Sequence, residues 1–99
     1  MAMMEISVVP IGTASPSLSH YVAGVVRVLK EAGLEYELGA MGTVVVGEVD
    51  ELLAVARKMH EQPFAMGAVR VATTIKIDDR RDKALTIQGK VRAVREKLT

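Results

Sequence analysis

The sequence predicts an α+β fold in which helices cover a four-stranded antiparallel sheet. From Val69 to Ile77, β-branched side chains alternate with polar or small ones, and a period of two is typical of a strand with two different faces. Apolar side chains recur at helical spacing in two other stretches, Leu18–Leu29 and Leu52–Met59. The predicted order is β-α-β-β-α-β with a further C-terminal helix, which is the ferredoxin-like arrangement.

The first half of the chain supplies a strand, a helix and a hairpin. The first strand is expected from Glu5 to Ile11, with Pro10 near its end because proline cannot donate a ladder hydrogen bond. Ser15 followed by Pro16 predicts the start of the first helix, and Gly33 is suited to end it. The next two strands are expected at Glu35–Leu38 and Thr43–Val46, joined by a glycine-rich turn.

The second half supplies a helix, the alternating strand and the last helix. Asp50 is the predicted N-cap of the second helix, which should end near Gln62 and Pro63. After the alternating strand comes a charged turn, with Asp82 as a candidate cap for a helix over residues 83–98. The residues of this helix predicted to be buried are Ala84, Ile87, Val91, Val94 and Leu98.

Two helices can cover only one face of the sheet, so the other face is expected to be open. On the alternating strand that face would carry Arg70, Thr74 and Lys76. The charged turn that follows, Asp78 to Lys83, is balanced in sign. Its ion pairs belong either to a solvated turn or to an intersubunit network, and the sequence leaves both readings open.

The composition fits one domain, residues 1–99, and excludes several functional classes. The chain has no cysteine, which rules out disulfides, thiol nucleophiles and cysteine-ligated metals. Its net charge is only +1, and the predicted strands Glu5–Ile11 and Val69–Ile77 lack aromatic residues, so no nucleic acid partner is expected. No signal peptide and no stretch of roughly 20 apolar residues is present, so we expect a cytoplasmic protein without membrane contact. A small aliphatic core favours a homo-oligomer.

Catalytic and metal sites are poorly supported by the residue pattern. His20 and His60 have no second ligand at metal-binding spacing and are expected at or near the surface. Ser15, Ser17 and Ser19 cluster where a helix begins, without a nucleophile-elbow motif. The prediction is therefore no catalytic residue and no metal.

Two glycine–threonine pairs at strand ends are better candidates for a binding site. They are Gly12 with Thr13, and Gly42 with Thr43 after Met41. Glycine lets a ligand approach the backbone, and the neighbouring hydroxyl can donate or accept a hydrogen bond. Met41 suits either the wall of a slot for a flat ring or ordinary core packing.

Four segments resemble the thiamine-binding protein family, and the resemblance extends over almost the whole chain. They are VVPIGT at residues 8–13, SLSHYVA at 17–23, MGT at 41–43 and TTIKIDDRRD at 73–82. The last block is the most specific. The resemblance implies a ferredoxin-like fold, a homotetramer built as a dimer of dimers, and cytoplasmic binding of thiamine or its hydroxymethylpyrimidine moiety without catalysis.

The resemblance also implies which residues line the pocket: Gly12, Thr13, Ser19, Met41, Gly42 and Thr43. One departure concerns the family pattern M-G-T-x-x-E, because Val46 stands at the acidic position. Glu48 could replace that carboxylate on the same strand face only if the strand continues. We therefore predict a non-catalytic small-molecule binding protein with its pocket at strand ends and subunit contacts. The alternatives are a structural or regulatory oligomeric subunit without ligand, and a small oligomeric enzyme in which Arg70 and Lys76 steer an anionic substrate.

Overall fold

The computed structural model describes residues 1–98 and confirms the α+β, ferredoxin-like fold. Its antiparallel sheet has the strand order β2-β3-β1-β4. None of the helices within the described residues is long and apolar enough to cross a membrane. The elements are β1 (Ala2–Pro10), α1 (Ser19–Ala32), β2 (Glu35–Leu38), β3 (Thr43–Gly47), α2 (Val49–Ala65), β4 (Val71–Asp79) and α3 (Ile87–Lys97).

The two central strands decide which side chains enter the core. Ile6 of β1 pairs with Thr43 of β3 on one side and with Ile75 of β4 on the other. Every second residue of β1 is buried, from Ala2 to Pro10. This alternation places one face of the sheet under α1 and α2, as the sequence predicts. The main core cluster is Ala2, Met4, Ile6, Val8, Val25, Leu29, Val45, Leu52, Val55, Ala56 and Met59.

The second face of the sheet is partly covered by α3, so the prediction that this face is open is confirmed only in part, for positions such as Thr74 and Lys76. Ile77 of β4 pairs with the core residue Met4 of β1, so the next residue, Asp78, lies on the opposite face. Asp78 forms an ion pair with Lys90 of α3. Glu37 of β2 lies on the same face and shares a cavity with α3. Leu85 and Ile87 are consequently buried outside the main core cluster.

The last helix begins later than predicted and buries less. Its N-cap is Thr86, whose hydroxyl accepts a hydrogen bond of 2.9 Å from the Gly89 N–H. Asp82 does not cap it, because that carboxylate accepts hydrogen bonds from Arg80. Of the side chains predicted to be buried, only Ile87 is buried. The exposed ones are Ala84, Val91, Val94 and Leu98.

The predicted start of α1 at Ser15 and Pro16 is also wrong. Its N-cap is Leu18, and residues 11–18 form an irregular loop. Within this loop the Thr13 hydroxyl donates to the Ser15 carbonyl at 2.9 Å, and the Ser15 hydroxyl accepts from the Ser17 N–H at 3.1 Å. Short polar side chains that bond to nearby backbone compete with helix formation, which delays the first turn.

The second helix starts earlier and ends later than predicted. Glu48 is its N-cap instead of Asp50, and the Glu51 carboxylate accepts the Glu48 N–H at 3.1 Å in a capping box. The helix continues through Pro63 to Ala65, so the proline stands in its final turn. The strand β4 starts two residues later than expected, at Val71.

Candidate functional site

The turn between β2 and β3 forms one wall of a cavity of about 340 Å³. The Gly39 N–H closes this turn by donating to the Gly42 carbonyl at 2.9 Å. A Cβ added to Gly39 would lie 2.7 Å from that same carbonyl oxygen, so the turn requires glycine there. A helix wall from α1 faces the turn. The residues of this helix wall are Leu18, Val22, Val25 and Val26.

Thr43 brings a polar group to this otherwise apolar cavity. The residue is only 5% exposed, because it pairs with Ile6 on the core face of the sheet. Within residues 1–98 no hydrogen bond to its hydroxyl is formed, and no fully buried side-chain oxygen lacks a partner. Thr43 lines the cavity, so a ligand bound there can supply a hydrogen-bond partner to its hydroxyl.

Gly42 and Met41 occupy different positions at the cavity. A Cβ on Gly42 would lie 3.3 Å from the Ile6 carbonyl oxygen, so the chain passes close to β1 at this point. Met41 is 90% exposed and belongs to the rim of the cavity, which excludes the core-packing reading for this chain alone. The predicted residues Met41, Gly42 and Thr43 are thus brought together at one cavity.

Ser19 lines a second cavity, of about 910 Å³, between α1 and the edge strand β2. The two cavities share part of their walls, Val22, Val26, Leu38 and Gly39. They form one continuous groove, which we call the α1 groove. Ser19 and Thr43 therefore face the same groove, and the Ser19 hydroxyl is 3.4 Å from that of Ser17. Val22 and Val26 belong to the apolar stripe that the sequence predicts on this helix, and their spacing fits a groove wall as well as a core.

Gly12 and Thr13 do not line either cavity of the α1 groove. Gly12 has a φ of 79°, in the left-handed region that favours glycine, so its role in the chain is explained by the turn. The Thr13 hydroxyl is used within its own loop. The structure therefore separates this glycine–threonine pair from the one at residues 42 and 43.

The acidic position of the family pattern lies on the opposite side of the sheet from Thr43. Val46 is buried but belongs to the face that α3 covers, because its neighbour Val45 is in the main core. A carboxylate at position 46 would not point into the α1 groove. Glu48 does not replace it, since β3 ends at Gly47 and Glu48 caps α2.

The charged turn after β4 is held by ion pairs within the chain. Arg80 contacts Asp82 at 2.6 Å, and Arg81 contacts Asp79 at 3.0 Å. The hydrogen bond from Arg80 holds the pKa of Asp82 below its ordinary value. These contacts match the solvated-turn reading. The intersubunit network stays a prediction.

The basic and histidine side chains considered in the sequence analysis lie outside the α1 groove. Lys76 lies opposite Glu5 on the α3 face, and Arg70 precedes β4. His20 is exposed and stacks beside Tyr21, with ring centroids 4.2 Å apart. His60 is half-buried, and its Nδ1 shares a hydrogen bond of 2.7 Å with the Thr73 hydroxyl. This bond ties α2 to β4. Residues 1–98 contain no cluster of three acidic or histidine side chains placed to hold a metal ion.

Comparison with known proteins gives consistent matches over nearly the full chain. A profile of the family described as "Thiamine-binding protein" matches residues 4–95. The UPF0045 protein YqgV of Bacillus subtilis is 44% identical over 102 residues, which cover 99% of this chain and 98% of that protein.

Solved structures share the same fold. Hypothetical protein MJ1052 of Methanocaldococcus jannaschii superposes with a TM-score of 0.86 at 37% identity, over 96% of each chain. A domain of unknown function, DUF77, from Bacillus cereus superposes with a TM-score of 0.83 at 34% identity, over 97% of this chain and 91% of that one. The sequence matches and the structural matches therefore relate this chain to the same group of proteins.

Proposed function

Because the chain belongs to the thiamine-binding protein family, we propose that it binds thiamine or its hydroxymethylpyrimidine moiety in the α1 groove. The observation that carries the site is Thr43, a nearly buried residue that lines a cavity of about 340 Å³ and whose hydroxyl has no hydrogen bond within residues 1–98. An aminopyrimidine ring is flat, largely apolar on its faces and polar at its edge. Such a ring needs apolar walls together with a few well-placed hydrogen-bonding groups.

The α1 groove offers both kinds of contact. Val22, Val26 and Leu38 can pack against the faces of the ring, while the Thr43 hydroxyl can bond a ring nitrogen or the exocyclic amine. Met41 at the rim is long and polarizable, so it can fold over a bound ring. Ser19 lies further along the groove, in its 910 Å³ part, where its hydroxyl can contact the portion of thiamine beyond the pyrimidine ring.

Binding without turnover is the activity that this lining supports. Every residue around the 340 Å³ cavity is apolar, glycine, serine or threonine, and the titratable side chains of the α1 groove line only its 910 Å³ part, namely Arg27, Lys30, Glu31 and Tyr36. General acid–base catalysis uses a titratable side chain beside the reacting group, most often histidine or a carboxylate. His60 is committed to Thr73 on another part of the molecule. We therefore favour a buffer, carrier or sensor over an enzyme.

The proposal includes a homotetramer assembled as a dimer of dimers. Two separate surfaces support it. The edge strand β4 pairs only with β1 and leaves Ile75 and Ile77 partly exposed. On α3, Val94 and Leu98 are exposed at helical spacing. Light scattering at micromolar concentration should give four times the chain mass, and a monomeric mass would contradict the assembly.

Calorimetric and thermal titration with thiamine and with hydroxymethylpyrimidine tests the ligand. A compound that binds only the folded state adds about 2.7 kcal/mol of stability at a hundredfold excess over its Kd. Thr43→Val should weaken binding about tenfold, as expected for one lost hydrogen bond at the upper end of the usual range. The matched control is Thr74→Val, an exposed threonine on the other face of the sheet, which should bind as the wild type does.

Two outcomes would overturn parts of this proposal. If neither compound binds, the chain is better described as a structural or regulatory subunit, for which the exposed edge and helix surfaces are already available. If binding is strong but equal in the wild type and Thr43→Val, the ligand site lies outside the α1 groove.

A further inference from the structure

A cavity of about 320 Å³ lies between β2 and α3, on the face of the sheet opposite the core. Its lining shares no residue with the α1 groove. Ile87 is buried and Val91 is half-covered beside it, which gives the cavity an apolar floor. The remaining lining residues are polar or charged, namely Glu37, Gln88, Arg92 and Arg95.

The basic and amide side chains of this cavity come from one side of α3. Gln88, Arg92 and Arg95 are spaced by four and three residues, so they lie one above the other along the helix. A guanidinium is a planar fork that can give two parallel hydrogen bonds to a phosphate or carboxylate. Two of them beside an amide form a donor surface suited to the oxygens of an anion.

Glu37 faces this donor surface from the edge strand β2. Within residues 1–98, the ion pairs shorter than 4 Å involve neither Glu37 nor the two arginines, although all three line one cavity. The nearest basic neighbour on the helix, Lys90, is already paired with Asp78. The positive charges of Arg92 and Arg95 and the negative charge of Glu37 therefore line the same cavity without pairing with each other. The space between them is available to a ligand.

We propose that this cavity binds a small phosphate ester that also carries a protonated amine or another N–H donor. The phosphate would sit between Arg92 and Arg95, and the N–H group would donate to Glu37. A plain anion would be repelled by Glu37, and a plain amine would be repelled by the two arginines. Discrimination of this kind combines attractive contacts with a built-in repulsion against the incomplete ligand. The site does not depend on thiamine binding in the α1 groove.

A matched pair of probes separates the two parts of the ligand. 2-Aminoethyl phosphate and ethyl phosphate differ only in the amine, and backbone amide shifts of residues 37 and 88–95 report their binding at constant ionic strength. The wild type should bind the amino compound at least fivefold more tightly. Glu37→Gln should bring the two affinities close to each other, by weakening the amino compound and strengthening ethyl phosphate.

Arginine variants test the phosphate part. Arg92→Gln and Arg95→Gln should each weaken both probes about tenfold. The control Arg57→Gln removes the same charge from an exposed position of α2 outside this cavity and should bind as the wild type does. Because all these side chains are exposed, the variants should keep the wild-type unfolding midpoint.

Two results would overturn the proposed site. Wild-type affinity in both Arg92→Gln and Arg95→Gln would remove the arginines from it. An unchanged preference for the amino compound in Glu37→Gln would remove the carboxylate. Thr43→Val should not alter either titration, so failure of thiamine binding and failure of this site give different patterns.

Discussion

The two faces of the sheet are covered in different ways. Under α1 and α2, side chains such as Leu29 and Leu52 are fully buried in one continuous cluster. Under α3, the buried apolar residues among residues 1–98 are Leu85, Ile87 and Val46, none of them as completely buried as Leu29 or Leu52, and Val94 remains exposed. The first face is a core that holds the domain together. The second face keeps charges and apolar side chains available for a ligand or another subunit.

Close helix packing is confined to the first face. Gly24 is buried in α1, and a Cβ built there would lie 2.7 Å from the Met66 sulfur at the end of α2. Glycine therefore leaves room for the Met66 side chain where the two helices meet. α3 has its own glycine, Gly89, but the added Cβ would meet the hydroxyl of its own N-cap residue at 2.6 Å. That glycine serves the start of the helix and not its contact with the sheet.

The largest expected effect is the difference in stability between truncating a buried side chain under α1 and α2 and truncating an exposed side chain of α3. Leu52→Ala should lower the free energy of unfolding by about 2–5 kcal/mol, because a fully buried side chain leaves a cavity. Val94→Ala should change it by less than about 0.5 kcal/mol, since this side chain is 61% exposed. Urea denaturation of both variants measures the contrast.

Protein concentration sharpens that comparison. If Val94 lies in a subunit interface, the cost of Val94→Ala should grow as the concentration rises, because assembly stabilises the folded chain by mass action. A cost equal to that of Leu52→Ala at every concentration would contradict the difference between the two faces.

The next effect concerns the start of α3. Thr86→Ala removes the hydroxyl that accepts the Gly89 N–H, and loss of such a cap costs about 1 kcal/mol. The loss should appear as faster hydrogen exchange in α3, with little change in α1 and α2, because α3 adds little to the main core. Thr86→Ser keeps the accepting oxygen and should retain the wild-type exchange rates. Equal acceleration in all three helices would show instead that α3 and the core unfold together.

Sequence patterns were sufficient to predict the fold because the apolar residues of the core face alternate along the strands and recur at helical spacing along the helices. β1 and α2 were recognised in this way, and only their ends were misplaced. The start of α1 was missed because Ser15 bonds to its own loop instead of to a helical turn. The start of α3 was missed because Asp82, the predicted cap, is bound by Arg80, and Thr86, about one turn later in the chain, caps the helix instead.

The candidate sites were less accessible to sequence reasoning. Met41, Gly42 and Thr43 are adjacent in the chain, so their shared cavity follows from one turn. Thr13 could not be separated from them, because spacing does not say which loop meets which helix. The cavity under α3 was missed for the same reason. The spacing of Arg92 and Arg95 is visible in the sequence, but the path that brings them to β2 is set by three-dimensional packing.

The smallest expected effect is the pH dependence of the ion pair between Asp78 and Lys90. The hydrogen bond and charge of Lys90 hold the pKa of Asp78 below its ordinary value of 3.8. A carboxyl group with a lowered pKa in the folded state stabilises the protein above its unfolded pKa, and this contribution is lost as the pH falls through the folded value. Both side chains are exposed, so solvent screening keeps the effect below those of Leu52 and Thr86. A double-mutant cycle with Asp78→Asn and Lys90→Gln, measured by urea denaturation, should give a coupling at pH 7 that weakens as the pH is lowered below 3.8. A coupling that persists at the lower pH would mean that contacts other than the ion pair hold α3 against β4.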